Sequence, residues 1–145
     1  MQSNALFRTT SAVACALVAY ASLGYALVAH APLAYAATPS EMLAGYTAQA
    51  GVPAQAQRGQ QLFTARHGRE WSCSSCHGAV PVQAGKHAGT GKVIAALAMA
   101  YSAERFTDPA KVEKWFRRNC NDVMGRECTP AEKADVLAWL LTLQP

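Results

Sequence analysis

The chain has 145 residues, of which 51% are hydrophobic, and its 13 Lys and Arg against 9 Asp and Glu give a formal net charge of +4. This length accommodates one domain and not comfortably two. Because the charge is small and the basic residues are scattered, the composition gives no support to nucleic-acid binding, which needs a dense basic stripe with interleaved aromatic side chains.

The first 36 residues have the pattern of an export signal. Arg8 is the only charged residue before Glu41, residues 11–29 are mostly apolar, and Ala34-Tyr35-Ala36 is a small-x-small cleavage site. We therefore predict that residues 1–36 are a signal peptide cleaved after Ala36 and that the mature chain is exported to the periplasm. The alternative is an uncleaved membrane anchor, because the apolar run is almost long enough to span a bilayer.

The small and polar residues 37–52 predict a flexible N-terminal lead-in, followed by a folded domain over residues 53–145. Its first helix is predicted from Pro53 to His67, with Gly68 ending it. One face of this helix carries Gly59, Leu62, Phe63 and Arg66. Gly59 would let another helix cross closely there, because it has no side chain.

The motif Cys73-Ser74-Ser75-Cys76-His77 carries the chemistry of this sequence. Two thiols three positions apart can each add to one vinyl group of the same haem, and the histidine directly after the second thiol is then held beneath the iron. We predict one covalently bound haem c, attached by Cys73 and Cys76 and ligated on one side by His77.

Three other interpretations of the motif are weaker. A zinc site would need a second pair of ligands, and Cys120 and Cys128 have seven residues between them and no histidine nearby. A thioredoxin-like redox pair would need a strand–helix context that is absent from the sequence. A disulfide inside the motif would leave His77 without a purpose. The haem interpretation agrees with both the export signal and the helical pattern of the chain.

The rest of the sequence predicts further helices and no strand, hence an all-α fold. Loop is expected around the motif as far as Lys92, and a short apolar helix from Val93 to Tyr101. Asp108-Pro109 is an N-cap followed by proline, and the helix it opens has an inward face of Val112, Trp115, Phe116 and Asn119. Thr129-Pro130-Ala131-Glu132 is a capping box that opens a final helix with a buried stripe of Val136, Leu137, Leu140 and Leu141.

The second axial ligand of the iron would decide the function. A thioether ligand makes an electron carrier, whereas a weak or missing ligand leaves a place for a diatomic gas. The candidates are Met42, Met99, Met124, His67, His87, Asn119 and Asn121. Asn119 continues an apolar helix face, and a buried amide needs a partner or costs about 1–3 kcal/mol. That partner is either the iron or the backbone at the end of the helix, and the residues alone leave both open.

Two segments resemble the sphaeroides haem protein family, namely Arg105 to Cys120, with its Arg-Asn-Cys triplet, and Gly125 to Trp139. The segment from Asp135 to Leu143 is similar to the terminal helix of class I cytochromes c. The resemblance implies a class I cytochrome c-like helical fold around one haem, with Asn119 as a sixth ligand that leaves on reduction. It also implies a Cys120–Cys128 disulfide, transient binding of O2 or NO by the reduced protein, and electrons from a dihaem c-type or membrane b-type cytochrome.

The sequence therefore favours a periplasmic monohaem cytochrome that binds O2 or NO when reduced. The alternative is an electron-transfer cytochrome c with histidine and methionine ligands. A third class is an exported structural or metal-binding module without haem. Ligand binding and electron transfer are favoured over enzymatic turnover, such as reduction of oxygen or nitric oxide at the haem.

Overall fold

The computed structural model describes residues 36–145, so the predicted signal peptide lies outside the described residues except for Ala36. The helices are α1 Pro39–Ala50, α2 Ala56–Thr64, α3 Cys73–His77, α4 Pro109–Met124 and α5 Pro130–Thr142. Two short strands, β1 Gly85–Lys86 and β2 Val93–Ile94, pair antiparallel, and Met99–Tyr101 forms a 3₁₀ turn. Over residues 36–145, no helix combines the length and the apolar character needed to cross a membrane.

The predicted flexible lead-in at residues 37–52 is wrong, because helix α1 occupies most of it. Thr38 begins the helix with a reciprocal capping box, in which its backbone N–H donates to the Glu41 carboxylate at 2.7 Å. Gly51 ends the helix in the left-handed conformation, at a φ of 66°. The buried ring of Tyr46 then fixes the helix to the core, so the folded domain includes this segment.

Helices α2 and α5 cross at Gly59, as the sequence predicts. A Cβ built on Gly59 would lie 2.0 Å from the backbone oxygen of Asp135, so only glycine fits there. The buried Asp135 carboxylate accepts hydrogen bonds from the Arg58 guanidinium and from the backbone N–H of Gln55. Helix α2 is shorter than predicted, since it begins at Ala56 rather than at Pro53 and ends at Thr64 rather than at His67.

Helix α5 lies at the centre of the fold, because both apolar clusters include its residues. The first cluster joins α1, α4 and α5 through Tyr46, Val112, Ala134 and Leu137. The second joins α2 to α5 through Phe63, Val136, Trp139 and Leu140. Phe106 and Phe116 pack against both clusters. The predicted stripe on α5 is confirmed at Val136, Leu137 and Leu140, whereas Leu141 is only half-buried.

The predicted helix from Val93 to Tyr101 is wrong. Val93 and Ile94 pair with Lys86 and Gly85 in the hairpin, where β-branched side chains are well accommodated. The backbone N–H groups of Leu97 and Ala98 both donate to the carbonyl of Pro81, which fixes the chain in a loop. Only the last three residues of the predicted segment are helical, as the 3₁₀ turn.

The predicted starts of α4 and α5 are confirmed. The Asp108 side chain accepts a hydrogen bond from the backbone N–H of Lys111, and Pro109 occupies the first turn of α4. Thr129 and Glu132 form the capping box of α5. Helix α4 ends at Met124, where Gly125 has a φ of 71°. It therefore extends five residues beyond Asn119.

Candidate functional site

The motif Cys73–His77 folds as the single helical turn α3. The buried Ser72 precedes the turn, and its backbone N–H donates to the hydroxyl of Ser75 at 3.0 Å. Because residues three apart lie on the same side of a helical turn, Cys73 and Cys76 face the same region. Neither cysteine is in a disulfide, so both thiols are available for another covalent bond.

The hairpin packs directly onto this turn. A Cβ on Gly85 would lie 2.1 Å from the backbone oxygen of Cys76, so a side chain is excluded at this position of β1. The backbone N–H of Ala88 donates to the Cys76 sulfur at 3.2 Å. The hairpin, which the sequence did not predict, thus fixes the second cysteine of the motif.

Cys73, Cys76 and His77 line a cavity of about 580 Å³, a volume typical of cofactor sites. Helix α4 contributes a second wall through Val112, Trp115, Phe116 and Asn119, while Phe63 and Leu140 close the cavity from α2 and α5. Two thiols, an imidazole and a carboxamide therefore meet in one mainly apolar space. This donor set fits a haem c, with the thiols as attachment points and the imidazole as an axial ligand.

The environment of His77 favours a neutral imidazole. Burial, together with a smaller effect of the positive charge of Arg105, lowers the pKa of His77 to about 4. The ring lies with its centroid 6.1 Å from that of Phe63, and it makes no hydrogen bond to any residue within 36–145. A neutral ring keeps a nitrogen lone pair at pH 7, which is the form that coordinates a metal.

The environment of Cys73 argues against a reactive dithiol. Burial, with a smaller contribution from the neighbouring Cys76, raises the pKa of the Cys73 thiol to about 11. Redox-active Cys-x-x-Cys pairs instead depend on a lowered thiol pKa. Within the described part of the chain there is also no cluster of three or more His, Cys, Asp or Glu side chains able to hold a metal ion. The raised pKa of Cys73 weakens the thioredoxin-like interpretation.

The structure narrows the candidates for the second axial ligand. Of those in the described residues, only Asn119 and His87 line the cavity with His77. Met42 and Met99 pack against the apolar clusters, and Met124 contacts the Cys128 sulfur at 3.5 Å. His67 donates to the Leu62 carbonyl at 2.8 Å, and Asn121 donates to the Arg117 carbonyl at 2.7 Å.

Asn119 differs from the other candidates because its carboxamide is half-buried and makes no hydrogen bond to any other described residue. The interpretation of Asn119 as a helix cap is wrong, since α4 continues to Met124. His87 is more constrained, because its Nδ1 accepts a hydrogen bond from the Thr90 backbone at 3.2 Å and its ring lies edge-on to Trp71. A free amide in an apolar cavity needs a partner. Asn119 is therefore a better candidate than His87 for the second axial ligand.

Cys120 and Cys128 are both buried, and their sulfur atoms lie 2.01 Å apart with a Cα–Cα distance of 5.6 Å. These are the distances of a disulfide bond. A bond here would join the last turns of α4, directly after Asn119, to the start of α5.

One residue in the cavity wall, Arg105, was missed by the sequence argument. Arg118 is exposed over the Trp115 ring at 5.7 Å, and Arg117 is exposed outside the cavity. Arg105 lines the cavity and, unlike these two exposed arginines, is half-buried. No sequence signal marks it, because irregular backbone rather than a periodic element carries it.

A family profile described as a domain of unknown function (DUF1924) matches residues 49–140. The cytochrome c-type protein SHP of Cereibacter sphaeroides is 54% identical over 107 residues, which is 71% of this chain and 82% of that protein. The chain belongs to the sphaeroides haem protein family. Membership in this family confirms the all-α cytochrome fold and makes haem of the c type the cofactor class.

Solved structures agree with this membership of the sphaeroides haem protein family. The structure of oxidised SHP, an oxygen-binding cytochrome c, matches with a TM-score of 0.70 and 51% identity, covering 74% of this chain and 99% of that chain. The solution structure of cytochrome c'' from Methylophilus methylotrophus, which gives insights into haem-ligand detachment, matches with a TM-score of 0.65 and 33% identity. That match covers 74% of this chain and 94% of that chain.

Proposed function

We propose that this chain is a periplasmic monohaem c-type cytochrome that transiently binds oxygen or nitric oxide when it is reduced. Cys73 and Cys76 would hold the haem through thioether bonds, with His77 and Asn119 as the axial ligands of the ferric state. The observation that carries the proposal is the meeting of the Cys-x-x-Cys-His turn and the partnerless Asn119 carboxamide in one cavity. When bound, the haem would supply a one-electron redox change and an axial position open to a diatomic gas.

The role of Asn119 follows from the chemistry of its side chain. A carboxamide oxygen is a weak, neutral, hard donor that suits ferric better than ferrous iron. Because no other described side chain or backbone group holds the Asn119 amide, it is free to take or leave an axial position. The names of two relatives support this role, since SHP is an oxygen-binding cytochrome and the cytochrome c'' study concerns haem-ligand detachment.

The apolar walls and the disulfide would support this chemistry. Phe63, Phe116 and Leu140 give the cavity apolar walls, and an apolar environment strengthens the electrostatic interactions inside it. The Cys120–Cys128 bond would staple a small exported domain, in a compartment where disulfides persist.

Export and the redox partner complete the proposal. The leader at residues 1–36 would take the chain to the periplasm, where the signal is cleaved. Electrons would come from a dihaem c-type or membrane b-type cytochrome, as family resemblance implies. Oxygen or nitric oxide would be the gas ligand.

The decisive test compares Asn119→Ala with His87→Ala in the haem-loaded protein. The chain is expressed with its leader in a host that attaches haem, and an alkaline pyridine spectrum checks for two thioether bonds. We expect N119A to change the ferric absorption spectrum, because it removes an axial ligand, and H87A to leave it unchanged. The reduced wild type should bind carbon monoxide at once, because its axial position is open.

Each other outcome would count against the proposal. A spectrum that changes in H87A but not in N119A would indicate ligation by two histidines and a pure electron carrier. Reduced protein that fails to bind carbon monoxide would indicate a tight sixth ligand. A colourless wild-type protein would refute haem attachment altogether.

A further inference from the structure

Arg105 is an unusual cation in the cavity wall. It is half-buried and lines the cavity together with His77 and Asn119. Its Nε donates to the carbonyl of Ala96 at 3.0 Å and its Nη2 donates to the carbonyl of Ala95 at 2.8 Å. These two bonds use the side of the guanidinium formed by Nε and Nη2. The end fork of the group, formed by Nη1 and Nη2, still has N–H groups that can donate.

The charge of Arg105 has no counter-ion in the described part of the chain. Its partners are backbone carbonyls, and none of the ion pairs among residues 36–145 includes it. The other charged side chains that line the cavity are all exposed, namely Lys92, Glu104, Asp108, Lys111, Arg118 and Asp122. A partly buried cation without a partner is costly, so an anion is expected beside it.

A haem brings such an anion into the cavity, because its propionate carboxylates lie on the edge opposite to the vinyl groups that the cysteines take. We propose that the end fork of Arg105 binds a haem propionate, in addition to holding the loop carbonyls of residues 95 and 96. A planar guanidinium matches a carboxylate in a two-bond arrangement, which lysine does not reproduce. This inference rests on the proposed function, since it needs a haem attached at Cys73 and Cys76.

The backbone beside Arg105 supports a positioning role. Phe106 has a φ of 60°, a left-handed conformation that is rare for a bulky residue. Its ring packs against both apolar clusters, with its centroid 6.4 Å from that of Phe116. The core thus fixes the residue next to Arg105, and the loop carbonyls fix the guanidinium itself. Such strain is found where surrounding packing over-determines a functional conformation.

The test uses the haem-loaded Arg105→Gln, Arg105→Lys and Arg118→Gln proteins. Resonance Raman spectra report the propionate bending mode, which responds to hydrogen bonding at the carboxylate. We expect R105Q to shift this mode and R105K to shift it partly. The reduction potential of R105Q should fall, because a positive charge that disfavours the ferric state is lost. R118Q is the matched control: its propionate mode should not move, and its potential should fall less than that of R105Q, because Arg118 is exposed and solvent screens its charge.

Three outcomes would overturn the inference. An unchanged propionate mode and an unchanged reduction potential in R105Q would show that Arg105 only holds the loop carbonyls, even if the variant were less stable. A shift in R118Q but not in R105Q would assign the propionate to the exposed arginine. A wild type without haem would refute the proposed function as well. If R105Q instead carries haem and keeps the wild-type ferric spectrum, a failure of the propionate inference leaves the proposed function standing.

Discussion

The crossing of α2 and α5 depends on a single missing side chain. The position of a Cβ on Gly59 lies 2.0 Å from the oxygen and 2.3 Å from the carbon of the Asp135 carbonyl. Both are backbone atoms, so relief would require the helices to separate. The buried Asp135 carboxylate and its Arg58 partner sit at the same crossing, and they would be displaced with it.

We expect Gly59→Ala to lower the free energy of unfolding by about 3 kcal/mol, through overpacking of the crossing. Gly45→Ala is the matched control, because Gly45 also lies inside a helix, α1, and has no neighbour within 4 Å of its Cβ position. It should raise stability by about 0.5–1 kcal/mol, the helix-propensity gain. Denaturant unfolding of the holoprotein measures both. Equal effects would show that the close approach is unimportant.

Some residues of the site were predictable because their signals are local. The Cys73–His77 motif needs no tertiary information, and Gly59 was predicted from its place on a helix face. Arg105 was not predictable, because its place in the cavity depends on the loop that carries it. Trp115 was expected on a buried face, yet it is 42% exposed and lines the cavity. Helical periodicity gives the direction of a side chain and not what lies opposite to it.

At the scale of elements, the start of α5 is held by a charged capping box. The Glu132 carboxylate accepts from the backbone N–H of Thr129 at 2.8 Å and pairs with both terminal nitrogens of Arg126. The hydrogen bond from Arg126 is the largest influence that lowers the pKa of Glu132, to about 2 from an ordinary value of 4.5. Since the folded-state pKa is depressed, the stabilisation is fully present above pH 4.5 and is lost as the pH falls towards 2.

We expect Glu132→Gln to be less stable than the wild type by about 0.5–1 kcal/mol at pH 7, a value reduced for solvent screening of an exposed pair. Glutamine can still accept the capping hydrogen bond, so the loss reports the charge alone. The difference should shrink towards zero as the pH falls from 4.5 to 2. Chemical unfolding at several pH values measures it, with the exposed Glu127→Gln as control. A difference independent of pH would contradict the assignment.

The capped elements were the predictable ones. Asp108-Pro109 and Thr129 to Glu132 are local start signals, and the structure confirms both helices. Helix α1 has the same kind of signal in Thr38, Pro39 and Glu41, but its small residues gave too little apolar contrast to predict a buried face. The segment from Val93 to Tyr101 failed for the opposite reason, since its apolar run suits several conformations and tertiary contacts with Pro81 and Gly85 decide between them.

For the whole molecule, the proposed Cys120–Cys128 disulfide connects the helix that carries Asn119 to the central helix α5. We expect the double variant Cys120→Ser/Cys128→Ser to lose about 2–3 kcal/mol of stability, from the entropy of the loop that the bond closes. Its ferric spectrum should match the wild type, because Asn119 lies within α4 rather than at its end. Thermal unfolding and absorption spectra of the haem-loaded proteins measure both, with a thiol assay of the wild type as control.

A changed ferric spectrum in that double variant would contradict this expectation and would show that the disulfide helps to position Asn119. Unchanged stability, or free thiols in the wild type, would show that the bond is absent.

The all-α class and the haem motif were accessible from the sequence at this scale. The central place of α5 between two clusters was not, because it depends on the long-range packing of α1, which was predicted as a flexible lead-in.

Helix α4 continues without a break past Asn119, and this has a kinetic consequence. As the proposed ligand, Asn119 would reach or leave the iron by rotating about its own χ1 and χ2 torsions, without rearrangement of the helix. Rotamer changes take on the order of nanoseconds or less, whereas rearrangement of a helix takes microseconds or longer. Gas uptake after reduction would then be limited by the arrival of the gas and not by movement of the polypeptide.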